Sequence, residues 1–395
     1  MLNQPEPACL VIADISGYTS YVAGVELDHA QDILADLMDT VVGSLRPKFR
    51  LAKLEGDAAF VFMLAETLDG SALQDTIERT YFSFRRRVRD INQASQCDCN
   101  ACMRIPNLDL KVVVHHGVVA RHRIAGRDEL AGSAVILVHR LLKNRVDEAT
   151  GIKVYALYTQ ACLDVAGIDP DAQGLRRHVE STDIAGDVTV WLRDLEAAWV
   201  AEQAATRVVV KPADALATFE AFYPGPPEIV WEWVTSPARR PQWQAGVTGV
   251  TEEAAGGRRG QGTVNHCIHG RDAVVEEVLD WRPFEYLTLR VQLPIPGSPK
   301  LIMTDTFEPV DDGTRHASRV ARPRARKDVE FIASLGPMFE EVMSEAAITL
   351  GRLIAEDVAR RVAEGTLEPP TPVSKARYLS APLTVDVDPE LARSS

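Results

Sequence analysis

The chain reads as blocks of apolar positions whose spacing changes from one segment to the next. Ala8-Cys9-Leu10-Val11-Ile12-Ala13 is an apolar strand that ends on Asp14. Residues 27–45 carry Ile33, Leu34, Leu37, Met38, Val41, Val42 and Leu45, the spacing of a helix with one apolar face, and Pro47 stops it. Residues 48–64 then predict two strands around Gly56-Asp57, so a second aspartate also sits at a strand end. A further amphipathic helix is expected over 71–94, with Arg85, Arg86 and Arg87 on its solvated side. Residues 110–115 and 118–120 read as a strand pair broken at Gly117, and Ser133–Asn144 as a helix. Strands near 152–157, 175–180 and 187–192 follow, then a helical connector from Glu196. The order β-α-β-β-α-β predicts an α+β ferredoxin-like core rather than a doubly wound sheet.

From about residue 207 the pattern changes. An edge strand at 207–211, continuing at 218–223, precedes Pro226, Pro227 and a short helix through Val234. Several strands follow, separated by turn clusters such as Gly256-Gly257 and Asp311-Asp312-Gly313. The last element is a long amphipathic helix over 334–363, and residues 366–395 read as a loose tail. The expected domains are 1–195, a connector at 196–212, and 213–365.

Composition narrows the functional classes. With 395 residues and 46% apolar content the chain has material for more than one core. Its 43 basic and 56 acidic residues give a net charge of −13, which argues against nucleic acid as a partner. No run of about 18 apolar residues predicts a membrane span. Residues 1–7 lack the pattern of a signal peptide, so the expected location is the cytoplasm. Three of the six cysteines form Cys97-x-Cys99-x2-Cys102, which reads either as a Zn²⁺ site short of one ligand or as a reduced, thiol-rich loop. His115, His116 and Cys162 are the candidate fourth ligands.

Asp14 and Asp57, each at a strand end beside small residues, suit Mg²⁺ and a polyphosphate, because Mg²⁺ takes a few hard oxygen ligands and completes its shell from substrate. The same residues would equally cap turns. Asp14-Ile15-Ser16-Gly17-Tyr18-Thr19, Lys53-x-x-Gly56-Asp57-Ala58 and the helix Gly132–Leu141 together resemble the class III nucleotidyl cyclase catalytic domain over residues 8 to about 193. The resemblance implies that Asp14 and Asp57, with the Ile15 carbonyl, ligate two Mg²⁺ or Mn²⁺ ions. It implies further that Ser16, Gly17, Tyr18 and Thr19 cradle phosphates, that Lys53 and Glu129 read the base as adenine, so that ATP is the nucleotide, and that Arg140 stabilises charge in the transition state. Such sites are shared between two copies, so a homodimer is implied as well. This chain departs from the family at Ile136, four residues before Arg140, where the family has a ribose-orienting asparagine. Asn144, expected one turn beyond Arg140 on the same helical face, is the candidate replacement.

Residues 213–365 resemble the START-like polyketide cyclase and lipid-transport superfamily, on residues 219–223, Pro227–Trp231, 237–243, the strand series and the final helix. That resemblance implies a helix-grip α+β fold and a cavity for a hydrophobic small molecule, with Met338, Phe339, Val342 and Met343 either lining it or filling a core. Trp231, Trp233, Trp243 and Trp281 read as core, and His266, His269 and Arg271 are the polar residues grouped in this half. The sequence thus supports a diverged nucleotidyl cyclase that forms cyclic AMP if active, or descends from an enzyme that did, joined to a hydrophobic-ligand domain. The other reading is a non-catalytic nucleotide-binding or dimerisation scaffold regulated by a lipid-like ligand. A third places an enzyme acting on polyketide-like substrates in the C-terminal half.

Overall fold

The computed structural model describes residues 4–367 except 24, 26, 95–99 and 125–126. Most of the predicted tail therefore lies outside the described residues. The chain forms two compact units, one of residues 1–205 with 256–258, the other of residues 206–255 with 259 onward.

In chain order the first unit contains β1 (Glu6–Ser16), α1 (Tyr18–Val22), α2 (Leu27–Leu45), β2 (Arg50–Glu55), β3 (Ala58–Leu64), α3 (Gly70–Ala94), α4 (Asn100–Arg104), β4 (Asp109–Ile124), β5 (Arg127–Ala131), α5 (Ser133–Leu142), α6 (Val146–Thr150), β6 (Tyr155–Thr159), α7 (Gln160–Ala166), β7 (Arg176–Thr182), β8 (Gly186–Asp194) and α8 (Leu195–Ala204). Its sheet runs β2-β3-β1-β4-β6-β8-β7, with β5 paired to β4. The β1-α2-β2-β3-α3-β4 portion has the ferredoxin-like order expected from the chain. β1 lies between β3 and β4, antiparallel to both, and is buried on both faces. Its Cys9, Val11, Ala13 and Ile15 join the core under α2 and α3, whereas Ala8, Leu10 and Ile12 join Phe60, Val138 and Leu141 under α5. Two covered faces explain why this strand reads as an unbroken apolar run.

Two expectations are corrected here. The strand pair at 110–120 is one 16-residue strand, β4, that runs straight through Gly117. Gly117 is needed for close approach and not for a turn: a Cβ there would lie 2.7 Å from the Ala134 Cβ on α5 and 2.9 Å from His115 Nε2. The helix expected to reach Asn144 ends at Leu142, with Lys143 leaving the helical conformation.

The second unit contains β9 (Ala215–Pro224), α9 (Pro227–Thr235), α10 (Arg240–Trp243), β10 (Gly249–Glu253), β11 (Val264–His269), β12 (Asp272–Arg282), β13 (Tyr286–Gln292), β14 (Lys300–Val310), β15 (Gly313–Ala321), α11 (Arg326–Ser334) and α12 (Gly336–Ala363). Its seven strands form an antiparallel sheet in the order β10-β11-β12-β13-β14-β15-β9, and α12 packs on β9. This is the helix-grip arrangement. The C-terminal part of α12 is fixed by a buried polar cluster: Asp357 accepts from Trp233 Nε1 at 2.9 Å and from Arg361, while Arg361 and Arg239 both reach Glu232. Trp231 is fully buried and meets Trp281 and Phe307 edge-on, as expected of a core residue.

Two further corrections belong to this unit. Residues 207–211 form no strand; Val208 N donates to Asp280 Oδ2 and Val210 N to Thr304 Oγ1. Side chains there take the place of a ladder, a substitution that hydropathy alone does not reveal. The final helical region begins earlier than expected, at Arg326, and breaks near Leu335 into α11 and α12.

The Gly117 contact yields a stability test. Gly117→Ala is expected to destabilise the first unit by about 1–3 kcal/mol through overpacking, read from chemical denaturation. Gly117→Ala combined with Ala134→Gly removes the colliding methyl and is expected to recover part of the loss, whereas a fully additive double variant would contradict this account of the glycine.

Candidate functional site

The antiparallel register of β1 with β3 sets Asp14 opposite Ala58, next to Asp57 in the hairpin turn. The Ile15 amide donates to the Asp57 carbonyl at 3.0 Å, which locks the two strand ends together. Both aspartates are half-buried. Burial first, and the Asp57 carboxylate second, push the Asp14 pKa up to about 6, with Lys111 acting in the opposite direction. The two predicted carboxylates are therefore neighbours that repel one another in a partly dry setting.

Gly17 follows at φ 87, where a side chain would be strained and a Cβ would lie 3.0 Å from the Asn107 carbonyl oxygen. This turn carries the chain from β1 into α1, a helix of five residues. Ser16 Oγ beside it is buried and makes no hydrogen bond among the described residues.

Sequence reasoning did not single out Lys111 and Tyr155, which complete this row of the sheet. Lys111 stands opposite Asp14 across β1 and β4. Its ammonium lies 5.7 Å from the centre of the Tyr155 ring on β6, and the Tyr155 hydroxyl donates to Asn144 Oδ1 at 2.7 Å. The lone lysine in the apolar run of β4 was the available signal.

The remaining predicted residues divide between those near the aspartates and those set elsewhere. Lys53 lies on β2, 2.7 Å from Glu55 Oε1, and Glu55 is also bonded by His139 Nε2 from α5. Burial works to raise the Glu55 pKa, but Lys53 and His139 together hold it below the ordinary value. Glu129 stands on β5 opposite His122, and no ion pair or hydrogen bond joins it to Lys53 among the described residues. Arg140 is half-exposed and pairs with Asp183 at 3.3 Å. Ile136 on the same helix is 49% exposed.

Asn144 is a correction. It lies beyond the end of α5 and does not share a helical face with Arg140. Its Nδ2 donates to the Leu141 carbonyl, and its Oδ1 accepts from Val146 N and Tyr155 Oη, so it joins α5, α6 and β6. Those bonds use the groups that would be needed to orient a ribose.

Cys97, Cys99 and the side chain of Cys102 lie outside the described residues. The three candidate fourth ligands have partners or surroundings of their own. His115 Nδ1 bonds Thr159 Oγ1 at 3.0 Å, His116 Nε2 bonds the Ala65 carbonyl at 2.9 Å, and Cys162 is fully buried in the core. Among the described residues no three His, Cys, Asp or Glu side chains form a metal-ligating group. Asp14 and Asp57 are two carboxylates and not three. Their chemistry still fits a hard divalent ion, which relieves like-charge repulsion and draws its other ligands from backbone, water or phosphate.

In the second unit, Met338, Phe339, Val342 and Met343 of α12 line a cavity of about 330 Å³ together with residues of the sheet, Trp243 among them. Trp243, expected in the core, packs against it and also forms part of this wall. His269 lines the cavity, while His266 lies 3.4 Å from Glu253.

Two family models match the chain. Residues 214–363 match the one described as "Polyketide cyclase / dehydrase and lipid transport". That match spans the second unit from β9 to α12. Residues 34–150 match a model described as "Protein of unknown function (DUF2652)". An uncharacterized protein of Mycobacterium tuberculosis is 37% identical over 131 residues, which are 33% of this chain. The matched stretch spans 60% of that relative's length. Among solved structures, the guanylyl cyclase Cya2 is similar at 14% identity and a TM-score of 0.39, covering 49% of this chain and 93% of its own. The adenylyl cyclase CyaB from P. aeruginosa is similar at 13% identity and a TM-score of 0.36, covering 49% and 99%. No helix among the described residues is long and apolar enough to cross a membrane.

The electrostatics of the pair give a pH test. The folded pKa of Asp14, about 6, lies above the ordinary 3.8. Between those values the folded chain holds more protons than the unfolded one, so stability falls as pH rises through this window. Carboxyl-carbon NMR is expected to show Asp14 titrating near pH 6, and Asp57→Asn is expected to lower that midpoint without restoring 3.8, because burial is the larger cause. A midpoint near 4 in the unmodified protein would contradict the arrangement.

Proposed function

We propose that the first unit binds a divalent cation together with a nucleoside triphosphate, ATP foremost, and that the second unit binds a hydrophobic small molecule. The observation that carries the first part is the Asp14–Asp57 pair, two half-buried carboxylates held together by the β1–β3 register with one lysine opposite. Asp14, Asp57 and the Ile15 carbonyl would hold Mg²⁺ or Mn²⁺, which would supply charge neutralisation for the phosphates. The turn at Ser16–Thr19, with its unpartnered Ser16 hydroxyl, would receive the phosphates. Lys53 and Glu129 are the proposed base readers, Lys53 being steadied by Glu55 and, through it, by His139.

Formation of cyclic AMP asks more of the chain. A ribose must be oriented and charge stabilised as the bond to the α-phosphorus forms. Ile136 offers no hydrogen bond and Asn144 is committed to α6 and β6, which favours a regulator that holds nucleotide without turning it over. If turnover occurs, the half-exposed Arg140 of a second copy is the proposed source of positive charge at the site, as in a homodimer.

The second part rests on the cavity behind α12, whose lining is mostly apolar. Its volume is at the lower end of the roughly 300–1,000 Å³ typical of small-molecule sites.

Titration with a fluorescent ATP analogue tests the first part. Binding is expected to require Mg²⁺ or Mn²⁺ and to weaken at least tenfold in both Asp14→Asn and Asp57→Asn. Metal-independent binding, or variants that bind as the unmodified chain does, would contradict it. In the same samples, absence of cyclic AMP with nucleotide binding intact is the result expected of the regulator, and product that disappears in Asp57→Asn would identify a cyclase.

A further inference from the structure

The apolar cavity of the second unit has a polar inner end. Arg240 makes two hydrogen bonds to Glu276, at 2.5 and 3.0 Å. Asp305 accepts from Ser318 and lies 3.2 Å from His316 Nε2. Burial works to raise the Asp305 pKa, but His316, Ser318 and Arg240 together hold it below the ordinary value, so it is an anion. Tyr223 also lines the cavity, its ring 5.9 Å from that of His316. Burial, with Asp305 nearby, pushes the Tyr223 phenol far up, so it stays protonated and remains a donor. Although the residue is 3% exposed, the Tyr223 hydroxyl makes no hydrogen bond among the described residues. Its oxygen is not one of the fully enclosed side-chain atoms that lack a partner, so this donor opens onto the cavity that Tyr223 lines.

Position along α12 separates this end from the entrance. Met338 and Val342 line the cavity yet are 46% and 38% exposed, which marks the mouth. The Tyr223 ring packs beside Gly351, thirteen residues further along the same helix and therefore roughly 20 Å from Met338 along the axis. Along α12 the cavity lining runs from Met338 to Leu350.

We propose that the cavity takes an amphipathic ligand head first, with a neutral hydrogen-bond acceptor, a carbonyl or hydroxyl oxygen, received by Tyr223 at the inner end and the apolar body lying toward Met338 and Val342. An anionic head is disfavoured. Arg240, the guanidinium that lines the cavity among the described residues, is already engaged with Glu276, and Asp305 and Glu276 would both repel a carboxylate. This assignment rests on the reading of the cavity as a hydrophobic-ligand site and adds to it the orientation and chemical class of the ligand.

Three probes of similar shape test it on the full chain: 2-acetonaphthone, 2-ethylnaphthalene and 2-naphthoate, with binding followed by calorimetry and by quenching of the total tryptophan fluorescence. The ketone is expected to bind about tenfold more tightly than the hydrocarbon and than the carboxylate, the worth of one well-made buried hydrogen bond. Tyr223→Phe is expected to erase the preference for the ketone while leaving the affinity for 2-ethylnaphthalene unchanged, which also reports that the cavity is intact. Equal binding of ketone and hydrocarbon, tighter binding of the carboxylate, or a Tyr223→Phe chain that keeps the preference would overturn the head-group assignment alone. Binding of none of the three would overturn the hydrophobic-ligand reading and this assignment with it.

Discussion

Two carboxylates at adjacent strand ends repel each other, and the sheet of the first unit holds them together nonetheless. The register of β1 against β3 and the bond from the Ile15 amide to the Asp57 carbonyl leave neither strand free to slide, because a one-residue slip would turn Leu10 and Ile12 out of their core. Folding energy from a strand covered on both faces therefore sustains an electrostatic arrangement that is unfavourable by itself. A divalent cation bound as proposed would relieve this conflict between local electrostatics and global packing.

Around that pair the polar side chains form a sequence of local commitments. Lys111 offsets part of the charge from β4, and Tyr155 carries the row on to Asn144. Lys53 is fixed to Glu55, and His139 ties Glu55 to α5. These contacts separate the groups in two. Asp14, Asp57 and the Ser16–Thr19 turn are the groups proposed to meet a ligand, whereas Asn144 works for the protein's own architecture. In the second unit the division runs along one helix: the first turns of α12 face the cavity, and its later part is held by Asp357 and Arg361.

Much of the architecture was legible because it depends on local periodicity. The residue spacing gave α2 as Leu27–Leu45, and the two apolar runs around Gly56-Asp57 gave the β2–β3 hairpin. What escaped depends on neighbours far away in the chain. Gly117 looked like a turn because its reason, the close approach of Ala134, lies on another element. The 207–211 segment looked like a strand because its partners are side chains at Asp280, Thr288 and Thr304. The same holds for the sites. Asp14 and Asp57 stand out locally, each at the end of an apolar strand, while Lys111 and Tyr155 join them only through sheet register. Asn144 was misread because helix periodicity was carried two residues past the point where the helix stops. Tyr223, His316 and Asp305 are spread over three strands, and their meeting at one end of a cavity leaves no trace in any single segment.

Anomalous diffraction from crystals soaked in Mn²⁺ addresses the central claim most directly. A peak about 2.0–2.2 Å from a carboxylate oxygen of both Asp14 and Asp57 is the predicted result, close to the distances of hard divalent ions. Mn²⁺ bound elsewhere, with no density at these two aspartates, would contradict it.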